Sequence, residues 1–363
     1  MLYNFNENGN FLGVFMLFKT DDFEFNRIPA PLISWYQVVK RDLLWRENAD
    51  PYRVWVSEIM LQQTRVEAVK EYYARFLSVL PNVFALANCS EEILLKLWEG
   101  LGYYSRARNL QKTAKIIVEN YGGKFPKTKA ELLKLPGIGE YTAGAIASIA
   151  LYQREPAVDG NVFRVISRLT QNPTDISEPK YRGYLTEKLR EVYPPEGVLC
   201  SDFTQALMEL GAMVCKPQTP ECERCPLSEI CLSRANGTQD KFPVLPEKKA
   251  KRREQVCVLL ISTPSGIAIR KRQDGVLKGM YEFPSFVGLT REQALGELGI
   301  SEFKLVKTAK ATHVFTHIIW DMQISLIETE AVDLPTYSLA EIKEKISLPT
   351  AFRQCLKVFD EEV

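Results

Sequence analysis

Histidine is scarce in this sequence: its 363 residues contain two, His313 and His317. A histidine metal site or a Ser–His–Asp triad is therefore excluded from the rest of the chain. A large net charge is also lacking, since the formal value is +1 at pH 7. The chain lacks the overall basic character of many nucleic-acid-binding proteins, so any contact with DNA must rely on backbone amides and local patches.

Long hydrophobic runs are absent too. The N-terminal MLYNFNENGNFLGVFMLF holds only a short apolar stretch, with no basic region before it and acidic residues after it. We expect neither a signal peptide nor a membrane span, and we treat residues 1–29 as a leader of unknown role. Half of the eight cysteines are scattered without pairable spacing, as in a cytoplasmic protein (nucleoid-associated if bacterial): Cys89, Cys200, Cys257 and Cys355.

The length accommodates two domains. Apolar residues recur at three- and four-residue spacing over 30–232, which predicts a helical domain with short Gly/Pro turns; one such run spans 54–81. Residues 233–254 are polar and then basic, and they predict an interdomain linker. From 255 to 363, alternating segments around Gly turns, with helices at REQALGEL and SLAEIKEKI, predict a small α+β domain.

Four cysteines lie within seventeen residues in a C-x6-C-x2-C-x5-C pattern. Thiolates converging from one compact loop can fill a tetrahedral ligand set. The spacing alone leaves three possibilities, which are an iron–sulfur cluster, a structural zinc ion or two disulfides. The residues concerned are Cys215, Cys222, Cys225 and Cys231.

A glycine-containing turn connects two predicted helices in Leu135-Pro136-Gly137-Ile138-Gly139. Gly137 and Gly139 allow a tight turn, and the amides at the start of the next helix point outward to meet an anion. A bare G-x-G between helices is weak evidence for phosphate binding. The longer L-P-G-I-G-x-x-T-A resembles the helix-hairpin-helix of DNA repair glycosylases, which implies that this turn grips DNA phosphate.

Asp159 lies in Val-Asp-Gly-Asn-Val soon after this hairpin. From spacing alone, an Asp before Gly-Asn predicts a helix N-cap. Between such a hairpin and a four-cysteine loop, the segment resembles the helix-hairpin-helix, iron–sulfur glycosylase superfamily. The resemblance implies that Asp159 is the catalytic carboxylate, that Asn161 hydrogen-bonds beside it, and that the four cysteines hold a [4Fe-4S] cluster.

Glu58 lies in an amphipathic helix, where a lone Glu is usually solvated or paired. Its segment SEIMLQQT and the later LWEGLGYYSRARNL closely resemble adenine DNA glycosylases, which remove adenine mispaired with 8-oxoguanine. The resemblance covers about residues 30–232. It implies that duplex DNA with an A:8-oxoguanine or A:G mismatch is the partner, and we expect a monomer.

The proposed chemistry suits two carboxyl groups. Adenine leaves poorly as an anion and needs a proton, while the sugar becomes oxocarbenium-like and needs a nearby negative charge. Apolar neighbours should raise the pKa of Glu58 so that it acts as the acid. Asp159 is expected to stay ionised against the sugar.

Tyr141 occupies the position where endonuclease III-like relatives carry a Schiff-base lysine. A phenol cannot perform that reaction, so we expect a monofunctional glycosylase, with the hydroxyl hydrogen-bonded near Asp159. A purely structural aromatic is the alternative at this position. For the whole chain, the alternatives are an endonuclease III-like glycosylase/lyase and a non-catalytic iron–sulfur DNA-binding protein.

Flipping adenine out of the helix requires groups that hold the gap. By resemblance, Gln63 and Tyr103 act as the wedge beside 8-oxoguanine, with Thr64 and Leu101 next to them. Core packing is the alternative for each apolar residue, and a solvated helix face is the alternative to phosphate contact for Arg106 and Arg108. The residues implied to line the adenine pocket are Trp45, Arg46, Leu61, Gln205 and Met208.

Both histidines lie in ATHVFTHIIW of the second domain. This region resembles the Nudix-like domain of adenine glycosylases, and Phe315-Thr316-His317 stands where the family has the loop that contacts 8-oxoguanine. Thr replaces the more frequent Ser and keeps its hydroxyl. The segment GMYEFP resembles the start of a Nudix box, but REQALGELGI lacks the carboxylate pair that would hold Mg²⁺. We therefore expect a recognition domain rather than a pyrophosphatase.

Overall fold

The computed structural model describes residues 23–247 and 250–360, so most of the predicted leader lies outside the described residues. Helices dominate the first part, as the spacing of apolar residues predicts. They are α1 (Pro29–Val39), α2 (Pro51–Leu61), α3 (Val66–Val79), α4 (Val83–Asn88), α5 (Glu91–Trp98), α6 (Ser105–Tyr121), α7 (Lys129–Leu132), α8 (Glu140–Ala145), α9 (Gly160–Thr170), α10 (Pro179–Val192), α11 (Val198–Met213) and α12 (Leu232–Ala235).

The predicted helical run over 54–81 is wrong in one respect, because it is two helices. α2 begins after an Asp50 N-cap that accepts from the Arg53 amide, and Pro51 occupies its first turn. It ends at Leu61, and Gln63 then adopts a positive φ of 61°. Left-handed backbone at a non-glycine residue interrupts the ladder, although the apolar spacing continues into α3.

The predicted hairpin is present as α7, a turn and α8. Gly137 has a φ of 75°, and Gly139 is the N-cap of α8. Ile138 between them is buried, which anchors the turn, whereas both glycines are exposed. A π-helical segment, Ile146–Ala150, follows α8.

The second part is an α+β fold around a six-stranded sheet of order β6-β7-β1-β2-β8, with β5 also paired to β1. β1 and β7 run parallel, whereas β6 and β7 are antiparallel. The elements are β1 (Arg252–Thr263), β2 (Gly266–Ala268), β3 (Arg270–Lys271), β4 (Tyr281–Glu282), β5 (Ser285–Val287), α13 (Arg291–Glu297), β6 (Lys304–Val314), β7 (Ile318–Glu328), β8 (Thr336–Tyr337), α14 (Leu339–Glu344), α15 (Thr350–Arg353) and α16 (Lys357–Asp360).

Both faces of this sheet carry apolar clusters. One cluster joins Val256, Val258 and Trp320 to the C-terminal helices, and the other joins Leu259 and Ile261 to α13. The predicted fold class, a mainly helical part followed by an α+β part with helices at both named segments, is confirmed. β1 begins at Arg252, so the last three residues of the predicted linker belong to a strand.

The described chain divides into two compact units. The first contains the residues up to Gln62 and Glu119–Glu247, and the second contains Gln63–Val118 and the residues from 250 onward. Within the second unit, Ser347 donates to the Leu95 carbonyl at 2.9 Å, and the Leu348 amide donates to Glu99 at 2.8 Å. The predicted domain boundaries, which keep 30–232 together, stay predictions. Among the described residues, no helix is both long and apolar enough to cross a membrane.

Candidate active site

Glu58 is buried in the first unit, with 6% of its surface exposed. Its neighbours along α2, Val54, Trp55 and Ile59, are buried as well. Burial disfavours the carboxylate and raises the pKa of Glu58 to about 7, although the Tyr141 hydrogen bond and the nearby Arg46 act in the opposite direction. A solvated role for Glu58 is therefore wrong, and the carboxyl group is able to hold a proton near neutral pH.

Tyr141, in the first turn of α8, donates its hydroxyl proton to Oε2 of Glu58 in a short hydrogen bond. The hydrogen bond expected near Asp159 is thus made to the neighbouring carboxyl group of Glu58, and Asp159 is close enough to act electrostatically on the phenol. The same hydroxyl lies 3.9 Å from Sδ of Met208. Burial and the two neighbouring carboxyl groups raise the pKa of Tyr141 well above its ordinary value, so it acts as a donor.

Asp159 caps α9 and also faces the active site. Its Oδ1 accepts from the Val162 amide at 2.8 Å, and its Oδ2 accepts from Nδ2 of Asn161 at 2.7 Å. The predicted N-cap is confirmed, and it engages only one carboxyl oxygen with the backbone, so it is compatible with the predicted catalytic role. Burial raises the pKa of Asp159, while these hydrogen bonds and Arg164 oppose the rise.

Arg164, the arginine of the V-D-G-N-V-x-R-V motif, extends this arrangement, although the sequence analysis assigns it no role. Its guanidinium donates to Oδ1 of Asn161 at 2.7 Å, to the Gly211 carbonyl at 2.9 Å and to the Cys215 carbonyl at 2.8 Å. A continuous series of hydrogen bonds thus runs from Asp159 through Asn161 and Arg164 to the first cysteine of the loop. Its place in that motif, one turn after Asn161 in the same helix, is the signal that the sequence offers.

Arg46 reaches the same site from a short 3-10 turn before α2. Its guanidinium binds both oxygens of Glu209, at 3.2 and 2.8 Å, and lies 5.5 Å from the ring centroid of Tyr36. Glu209 is not part of any motif. The available signal is an acidic residue within the otherwise apolar ALMELGAM of α11, where a buried ion pair is the usual way to satisfy it.

The remaining residues predicted for the adenine pocket differ in exposure. Trp45 is buried, whereas Leu61, Gln205 and Met208 are half-buried. Gln205 donates to the Ser201 hydroxyl at 3.0 Å. Met208 packs with Tyr141 against an apolar cluster of the same unit, so these two line the site with Glu58, and the pocket roles of the others stay predictions.

The four cysteines of the loop are free thiols that line one cavity. Arg168 lies against them, with Nη1 3.4 Å from Sγ of Cys215, and Sγ of Cys231 lies 3.6 Å from the Arg168 carbonyl oxygen. The disulfide alternative is therefore wrong. No three His, Cys, Asp or Glu side chains within the described ranges are arranged around a single metal ion. Four thiols around one cavity, beside a cation, fit a cluster that spreads its negative charge over several sulfurs.

Tyr103 and Gln63 share an unusual backbone conformation in the second unit. Their φ angles are 46° and 61°, and both side chains are exposed, Tyr103 to 46%. Left-handed backbone at bulky residues is costly and is concentrated at functional sites. Leu101 is buried and Thr64 is half-buried, so the first supports the tyrosine segment from within.

Arg106 supports Tyr103 rather than pointing freely into solvent. It donates to the carbonyls of Leu101 and Gly102 at 2.9 and 3.2 Å, and its guanidinium lies 5.7 Å from the Tyr103 ring centroid. Arg108 binds Glu91 at 2.7 Å and the Gly279 carbonyl at 3.2 Å. A simple solvated face is therefore wrong for these two arginines, and their contact with phosphate stays a prediction.

The loop Phe315-Thr316-His317 connects β6 and β7. Phe315 is half-buried and packs edge-on against Trp320, with ring centroids 4.8 Å apart, while Thr316 and His317 are exposed. Lys251 donates to the Phe315 carbonyl at 2.8 Å. The packing of Phe315 on Trp320 and the hydrogen bond from Lys251 thus fix the loop that carries the two exposed side chains.

Glu282, in the segment that resembles a Nudix box, is engaged by its own fold. Its carboxylate accepts from Arg270 at 2.9 Å, from Arg272 at 2.7 Å and from Ser285 at 2.7 Å. The side chain is almost fully buried. It is therefore a structural ion pair rather than a Mg²⁺ ligand.

Comparison with known proteins agrees with the helical part and the α+β part of the chain. Residues 56–194 match the HhH-GPD superfamily of base excision DNA repair proteins, and residues 256–358 match the NUDIX domain. A solved thermostable thymine-DNA glycosylase is 28% identical with a TM-score of 0.53, over 58% of this chain and 97% of that one.

Two relatives extend over both parts. The adenine DNA glycosylase of Rattus norvegicus is 32% identical over an alignment that covers 91% of this chain and 77% of the relative. That of Mus musculus is 35% identical over an alignment that covers 81% of this chain and 69% of the relative. With this identity over more than two thirds of each protein, the chain belongs to the adenine DNA glycosylase family.

Proposed function

We propose that this protein removes adenine mispaired with 8-oxoguanine or guanine from duplex DNA, by acid-assisted cleavage of the N-glycosidic bond. The observation that carries the proposal is the buried Glu58, whose pKa of about 7 leaves it protonated near neutral pH beside a second carboxyl group. Proton donation by a positioned side chain accelerates such reactions by about 10²–10⁴-fold.

Glu58 supplies the proton to the base. Because Tyr141 donates to Oε2, the acidic proton belongs on Oε1, which leaves that oxygen to face the adenine. Protonation converts adenine into a neutral leaving group. Arg46 and Met208 border the same site and orient the base.

Asp159 stabilises the sugar as the bond breaks. Its two oxygens accept from the Val162 amide and from Asn161, which favours the ionised form against burial. A carboxylate held in this way can face a developing oxocarbenium ion, as in glycoside hydrolysis.

Recognition of the mismatch belongs to the second unit. Gln63 and Tyr103, exposed on left-handed backbone, are suited to enter the space that the flipped adenine leaves. Thr316 and His317 offer a hydroxyl and an imidazole to the edge of 8-oxoguanine. Gly137 and Gly139 expose backbone amides for the DNA phosphates.

The reaction stops at the abasic site, because Tyr141 has no amine with which to form a Schiff base. Borohydride should therefore trap no covalent protein–DNA adduct. Efficient trapping would instead favour an endonuclease III-like lyase.

The four-cysteine loop is proposed to hold a [4Fe-4S] cluster through Cys215, Cys222, Cys225 and Cys231, which line one cavity. When bound, the cluster crosslinks this loop and provides a redox-active group. The loop's own Lys216 and Arg224, both paired with Glu221, remain partly exposed for the DNA backbone. Iron and sulfide analysis of the purified protein tests the assignment.

Of the predicted domains, we propose that 30–232 carries catalysis, 233–254 is the linker and 255–363 recognises the lesion. Gln63 and Tyr103, which lie within the first range but belong to the second compact unit, contribute to lesion recognition. We propose a monomer that acts on duplex DNA in the cytoplasm, associated with the nucleoid if the protein is bacterial. Gel filtration with light scattering, with and without a duplex, tests the monomer.

Single-turnover cleavage assays test the function. Duplexes with A:8-oxoguanine, A:G or thymine glycol are incubated with the protein and analysed with and without alkali. We expect adenine release from the first two, with strand breaks only after alkali. Breaks without alkali at thymine glycol would favour the lyase, and binding without any base release would favour a non-catalytic protein.

A further inference from the structure

Glu209 is a buried carboxylate shared by two guanidinium groups. Its side chain is 1% exposed in α11. Arg41 binds it through Nε at 2.8 Å and Nη2 at 2.8 Å, and Arg46 binds it through Nη1 at 3.2 Å and Nη2 at 2.8 Å. Such bidentate pairs fix the plane of a guanidinium as well as its position.

The bidentate contact with Glu209 fixes the orientation of the Arg46 guanidinium. Its Nη1 also donates to the Arg41 carbonyl at 3.1 Å, and its guanidinium stacks near Tyr36. Only 14% of the Arg46 side chain is exposed, so water offers little alternative to these partners. The positive charge is nevertheless close enough to lower the pKa of Glu58.

Three groups surround Glu58 with charge or with a titratable proton. They are Tyr141 from α8, Asp159 from the start of α9 and Arg46 from the turn before α2. Arg46 is the cation among them. A guanidinium that turned onto Glu58 would convert it to a carboxylate at neutral pH, and a carboxylate has no proton to give.

We propose that Glu209 is a positioning residue of the active site, which holds Arg46 at the base pocket and prevents it from pairing with Glu58. This inference rests on the proposed function, because it takes Glu58 as the acid. It explains why α11 buries an acidic residue directly after Met208, which lines the site.

The test is the pH dependence of adenine release by Glu209→Gln, which keeps the size of the side chain and removes its charge. Single-turnover rates on A:8-oxoguanine duplex are measured from pH 5.5 to 9. We expect the alkaline decline of the rate to begin about one pH unit lower than in the wild type, which gives about a tenfold loss at pH 8 and little loss at pH 5.5. Asp202→Asn, on the same helix and bonded to Gln37, should leave the profile unchanged.

Two further variants keep the test decisive. Arg41→Gln/Glu209→Gln removes one charge of each sign, so it should fold if Glu209→Gln does not, and it should show the same shift because Arg46 still lacks its carboxylate. In an Arg46→Met background, Glu209→Gln should no longer move the profile. An equal loss of rate at every pH in both Glu209 variants would overturn the inference. Absence of adenine release by the wild-type protein would overturn the proposed function itself.

Discussion

The Tyr103 hydroxyl and Oγ1 of Thr316 lie 2.5 Å apart, although 213 residues separate them in sequence. The first belongs to the segment before α6 and the second to the loop between β6 and β7, and both lie in the same compact unit. Two side chains that the resemblance assigns separately to 8-oxoguanine are thus in direct contact. The hydrogen bond orders both exposed side chains before any DNA binds.

We predict that Tyr103→Phe and Thr316→Val act non-additively on the preference for A:8-oxoguanine over A:G. Either change removes the shared hydrogen bond, which is worth about 0.5–1.5 kcal/mol, so the second change has less left to remove. The measurement is the ratio of single-turnover rates on the two duplexes for both single variants and the double variant.

Thr316→Ser is the matched control, because it keeps the hydroxyl and removes only a methyl group. It should retain the wild-type preference. Strictly additive effects of Tyr103→Phe and Thr316→Val would show that the two hydroxyls act independently.

Much of the architecture could be predicted because it depends on local signals. The apolar spacing locates the main helices, and Asp159 is the N-cap that its Gly-Asn context predicts. The break between α2 and α3 could not be predicted, because the apolar spacing continues through it. The helix is interrupted by the left-handed backbone conformation of Gln63, which the spacing of apolar residues does not indicate.

The active site divides in the same way. The resemblance of the motifs assigns Glu58, Tyr141 and Asp159 to the site. The residue pattern alone predicts that Glu58 is solvated or paired along its helix, because its burial depends on packing against other helices. Glu209 pairs with Arg46, which is 163 residues away in the sequence, and an ion pair between such distant residues follows no sequence spacing. The hydrogen bond between Tyr141 and Glu58, 83 residues apart, could not be predicted for the same reason.

The two carboxyl groups should be essential for chemistry and dispensable for binding. We predict that Glu58→Gln and Asp159→Asn each reduce adenine release by about 10²-fold or more, since each removes a group that acts on the transition state. Duplex affinity, measured by fluorescence anisotropy with a non-cleavable adenine analogue, should change little. The control is Glu67→Gln on the surface of α3. Full turnover by either active-site variant would contradict its assignment.

The pKa of Glu58 also makes stability depend on pH. The folded-state pKa of about 7 lies above the ordinary value of 4.5, so the folded protein binds more protons between these pH values than the unfolded chain does. We predict that the contribution of Glu58 to the free energy of unfolding is greatest below pH 4.5 and falls as the pH rises to about 7. Urea unfolding of the wild type and Glu58→Gln at pH 5 and pH 8 measures the difference. If the free energy of unfolding of the wild type, relative to that of Glu58→Gln, did not fall between pH 5 and pH 8, the raised pKa would not belong to Glu58.

Gly211 provides a test of the contact behind Asp159. A Cβ at this helical position would lie 2.5 Å from Cβ of Asn161, the residue that donates to Asp159. Alanine normally stabilises a helix relative to glycine by about 1 kcal/mol, but here it must push Asn161 away. We therefore predict that Gly211→Ala lowers both the unfolding temperature and the rate of adenine release.

Gly183 in α10 is the matched control, because an added Cβ there meets no atom within 4 Å. Gly183→Ala should raise the stability by about 0.5–1 kcal/mol and leave the rate unchanged. If Gly211→Ala lowers the stability while Gly183→Ala raises it, the loss at Gly211 comes from the clash with Asn161 and not from helix propensity. If Gly211→Ala instead stabilised the protein with full activity, Asn161 would have room to move without disturbing Asp159.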